Sequence, residues 1–103
     1  MILSISKTRT ITPKSFGNDK ETVPSTITYR VPTAEEIEKH LAEKTSNAKM
    51  FVLYTESSTF TDDKGNEIKP ADIPKMSGTY ALVNEVATAI VKSGMLGTDV
   101  KNG

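Results

Sequence analysis

A single histidine sets the limit on acid–base chemistry in these 103 residues. His40 lies beside Leu41 and four residues after Glu36 in the run TAEEIEKHL, so a helix would place imidazole and carboxylate on one face. A hydrolytic triad needs that base held between a buried acid and a nucleophile, and the spacing assembles no such set. A surface histidine paired along a helix with Glu36 accounts for it. Asp62, Asp63, Asn66, Glu67 and Asp72 form an oxygen-rich cluster. A calcium loop, however, places its glycine after three alternating ligands and closes with a bidentate acid. Gly65 comes too early and no acid closes the ring, so these are read as solvated turn carboxylates. Gly94 and Gly97 make a lone G-x-x-G behind a helix, without the strand and the Lys-Ser/Thr pair of a phosphate loop. The chain is therefore read as non-enzymatic, with no metal and no cofactor.

Composition narrows the partners. The chain has 13 basic and 13 acidic residues, a net charge of zero, which argues against the uniform positive field of a protein that lives on nucleic acid or anionic membrane. Residues 1–30 carry five Lys or Arg against two acids, leaving eight against eleven in the remainder, an asymmetry suited to head-to-tail association and equally to ordinary surface. Lys7, Arg9, Lys14, Lys20 and Arg30, with Phe16 or Tyr29 to stack on a base, make a remote nucleic-acid surface that Asp19 and Glu21 dilute. Cysteine is absent, so no disulfide framework forms and the chain suits a reducing cytoplasm. No apolar run approaches the roughly 18 to 20 residues of a membrane span, and MILSISKTRT lacks the charged lead and apolar core of a signal peptide.

The elements that must position these residues form one α+β domain over residues 1–103: a small antiparallel sheet covered by two helices. In the stretch 25–31, Ile27, Tyr29 and Val31 alternate with Thr28 and Arg30, the two-residue period of a half-buried strand. Pro32 ends it, and Thr33 with Glu36 forms a capping box for a helix over 33–44 that shows Ala34, Ile37 and Leu41 as a narrow apolar stripe. Residues 2–12 pair with 25–31 as an N-terminal hairpin, so that Ile5 and Ile11 meet Ile27, Tyr29 and Val31. Between them, residues 13–24 are a polar, mobile loop whose one aromatic, Phe16, is a candidate anchor for a partner. The run 49–56 favours a strand by propensity, with a helix capped by Ser46 as the alternative. Residues 60–68 read as a hairpin in which Gly65 takes positive φ, and Pro70 and Pro74 frame a short turn. The last helix, 79–93, carries Tyr80, Leu82, Val83, Val86, Ala87, Ile90 and Val91 on its apolar face. Gly94 is expected as its left-handed C′ residue, with Met95 folding back on Ile90, and residues 97–103 as a frayed tail.

The strand-corner-helix TYRVPTAEEIEKHL (28–41), the acidic turn TDDKGNEI with its following proline (61–70) and the apolar C-terminal helix together resemble small proteins of tailed-bacteriophage tail modules, in particular the tail assembly chaperones. The resemblance implies a non-enzymatic protein of the host cytoplasm that shields an apolar tail component, such as a tape-measure segment, until assembly. Its partner-binding residues would be Tyr80, Val83, Val86 and Ile90 on the last helix and Ile37 and Leu41 on the first. The alternative is a self-associating virion subunit, a head-tail or tail ring component, whose strand edges and 13–24 loop make homo-oligomeric contacts. The same apolar residues also serve as the core of a domain this size.

Overall fold

The computed structural model describes residues 7–96. In chain order these form β1 (Thr8–Ile11), a 3-10 segment at Ser15–Lys20, β2 (Ile27–Arg30), α1 (Ala34–Glu43), α2 (Asn47–Tyr54), β3 (Thr55–Ser58), a second 3-10 segment at Pro70–Lys75, and α3 (Tyr80–Leu96). The sheet runs β1-β2-β3 and is antiparallel throughout, as expected for a small α+β fold. Ile11 pairs with Ile27 and Arg9 with Tyr29, so the hairpin register is the anticipated one; Ile5 lies outside the described residues. Alternation then divides β2 by face. Ile27 and Tyr29 are fully buried under the helices, while Thr28 is part of a wetter face, where its hydroxyl lies 2.7 Å from that of Thr10.

The corner after β2 forms for local reasons. Thr33 Oγ1 accepts a bond from the Glu36 amide at 3.1 Å, and Glu36 Oε1 accepts one from the Thr33 amide at 2.9 Å. Two orphan donors of the first turn are thus satisfied, and α1 closes on Lys44 in the left-handed conformation (φ 54°).

The run expected as a strand over 49–56 is instead helical as far as Tyr54, with Ser46 Oγ accepting from the Lys49 amide at 3.2 Å, and extended structure begins only at Thr55. Met50, Phe51 and Tyr54 explain the choice. A strand would send Phe51 to the face opposite Met50 and Tyr54, whereas a helix turns all three into the core, where each is buried. Val52 and Leu53 are left exposed by the same geometry.

A second correction concerns the end of α3. Gly94 is not the left-handed terminator that the sequence pattern implied; the helix continues through it to Leu96, and Met95 is exposed rather than folded back. The reason is a close approach between helices. A Cβ at Gly94 would lie 2.9 Å from both Cδ1 and Cγ1 of Ile37 and 3.2 Å from the Pro32 carbonyl oxygen, so the absent side chain is what lets α3 cross the start of α1.

Residues 60–68 form the expected tight turn. Asp62 Oδ1 accepts from the amides of Lys64 and Asn66, both at 2.9 Å, Gly65 takes φ +83°, and Thr61 bridges Glu67. Pro70–Lys75 then carries Ile73 into the core beside Phe51, Leu82, Val83, Val86, Ala87 and Ile90.

Gly94→Ala should lower stability by about 1 kcal/mol even though alanine is the better helix former, because overpacking against Ile37 outweighs the propensity gain of about 1 kcal/mol. Urea denaturation of G94A and of G94A/I37A checks this: truncating Ile37 should remove most of the added penalty.

Candidate functional site

Glu36 gathers the polar chemistry of the molecule. Both its oxygens receive the Arg30 guanidinium, Nη1 to Oε1 and Nη2 to Oε2, each at 2.9 Å. The hydrogen bonds from Arg30, then the Thr33 amide, hold its carboxyl down to about 2 against an ordinary 4.5, and the same bond to Glu36 raises Arg30. The Arg30 guanidinium carbon also lies 4.7 Å from the Tyr54 ring centre. His40 completes the chain: Nε2 is 2.7 Å from the Tyr54 hydroxyl and Nδ1 is 2.8 Å from Thr45 Oγ1. The expected His40–Glu36 pair is therefore replaced, because Glu36 is already taken by Arg30 and Thr33, and the histidine turns to Tyr54. Burial raises the Tyr54 phenol above its ordinary value. This network ties β2, α1 and α2 together.

The seven residues expected to bind a partner separate into three sets. Val86 and Ile90 are 0% exposed and belong wholly to the core. Phe16 stands 67% exposed on the 13–24 segment, in the left-handed region (φ 61°), where a bulky side chain is strained. The other four meet at the seam where α3 contacts α1 and α2. Ile37 and Leu41, with His40, Thr45, Asn47, Met50 and Val91, line a cavity of about 180 Å³. Val83 and Tyr80, with Ala48, Pro74, Met76, Gly78 and Thr79, line a second of about 170 Å³. Asn47 donates to Asn84 Oδ1 at 3.0 Å beside them. Ile37 and Val83 are buried in the floors, whereas Leu41 and Tyr80 are 61% and 79% exposed at the rims. A wider, shallow depression of about 520 Å³ on another side of α3 carries Glu85 and Lys92 and is less suited to apolar contact.

Glu85 was invisible to pattern reading and organises the 13–24 segment. Its carboxylate accepts from the Lys14 amide (2.7 Å), the Ser15 amide (2.9 Å) and Ser15 Oγ (2.6 Å). Burial works to raise it, but these bonds prevail and its carboxyl is lowered. Buried Asn18 fastens the other side, donating to the Pro13 and Ser25 carbonyls and accepting from the Ser25 amide, each at 2.8 Å. Phe16 is thus presented from a segment fastened to α3.

No protein-family model, curated protein or solved structure matches this chain. Among the described residues, no helix is long and apolar enough to cross a membrane, and no three His, Asp or Glu side chains are grouped to hold a metal.

The depressed Glu36 carboxyl predicts an acid-sensitive corner. Its contribution is complete above pH about 4.5 and is lost as pH falls toward about 2, the direction for a group lowered on folding. With about a third of its side chain exposed, the contribution is discounted for solvent screening to about 1 kcal/mol. Glu36→Gln should lose that amount at pH 7 and show a flatter stability profile between those pH values in urea titrations.

Proposed function

We propose that this protein is a non-enzymatic assembly factor that binds an apolar protein segment, acting as a tail assembly chaperone of a tailed bacteriophage in the host cytoplasm. The observation that carries the reading is the α1–α2–α3 seam: two small cavities without a charged side chain in their linings, each rimmed by a large apolar residue left in water. Scattered single hydrophobic residues need no explanation, but Leu41, Met76 and Tyr80 border preformed recesses, which is how protein-binding surfaces are built. The sequence resemblance to tail-module chaperones supplies the class of client, an aggregation-prone tail component such as a tape-measure segment. Buried Val86 and Ile90, read from the sequence as contact residues, act in this proposal by holding α3 rigid.

Co-expression with a tape-measure-type tail protein tests the reading. The wild-type chain should keep that protein soluble and co-purify with it, and Leu41→Glu/Tyr80→Glu should lose most of the rescue while folding normally by circular dichroism. A chain that leaves the tail protein insoluble, and instead shifts to larger species in size-exclusion chromatography as its concentration rises, would be a ring-forming virion subunit.

A further inference from the structure

We draw no further inference here: the strongest candidate, the surface patch around exposed Phe16, which the segment fastened to α3 by Glu85 presents in the left-handed region, carries none because nothing in the structure shows what covers it.

Discussion

The fork that Arg30 makes on Glu36 is the constraint from which the arrangement of the first half follows. One carboxylate caps the first turn of α1, neutralises the cation at the end of β2 and fixes the angle at which the chain leaves the sheet. The same guanidinium then lies over Tyr54 and so fixes α2, while Tyr54 in turn engages His40 on α1. A closed circuit results, in which each member limits the freedom of the next. Its contribution to stability is modest because it is partly wet, and its larger effect is geometric: it sets where the C-terminal half of α1 stands relative to α3.

The second determinant is steric. Gly94 allows α3 to pass close to Ile37, and the circuit around Glu36 holds Ile37 in place. Together they leave Leu41 beside Val91 with a recess between them instead of a filled interface. On the other side of α2, Ile73 anchors the 3-10 segment in the core, so that Pro74 and Met76 complete the wall of the recess at Tyr80. A groove of this kind is a consequence of how rigidly its walls are fixed, and pre-organised walls spare the partner the cost of ordering them.

Features specified by neighbours in the chain were readable before the fold. The alternation of β2, the Pro32 stop, the Thr33–Glu36 box and the Gly65 turn are each encoded within a few residues, and the antiparallel α+β class follows from them. Features decided by distant contacts were not. The run 49–56 carries residues at home in a strand, and its helical state is chosen by the need to bury Met50, Phe51 and Tyr54 together. Gly94 has the same one-letter signature as a helix terminator or as a crossing point, and only Ile37 distinguishes the two. Glu85 is seventy residues from the Ser15 it holds, which no local pattern can signal. Of the residues expected to face a partner, helical periodicity correctly grouped Tyr80, Val83, Val86 and Ile90 on α3 but could not separate the rim from the core, because both follow the same period.

Hydrogen–deuterium exchange on a complex with a captured tail component measures the central claim most directly. The account predicts new protection concentrated in residues 37–48 and 76–91, the walls of the α1–α2–α3 seam, with little change in β1 or in residues 13–24. Protection confined to β1 and the segment carrying Phe16, with the seam exchanging as in the free protein, would contradict it.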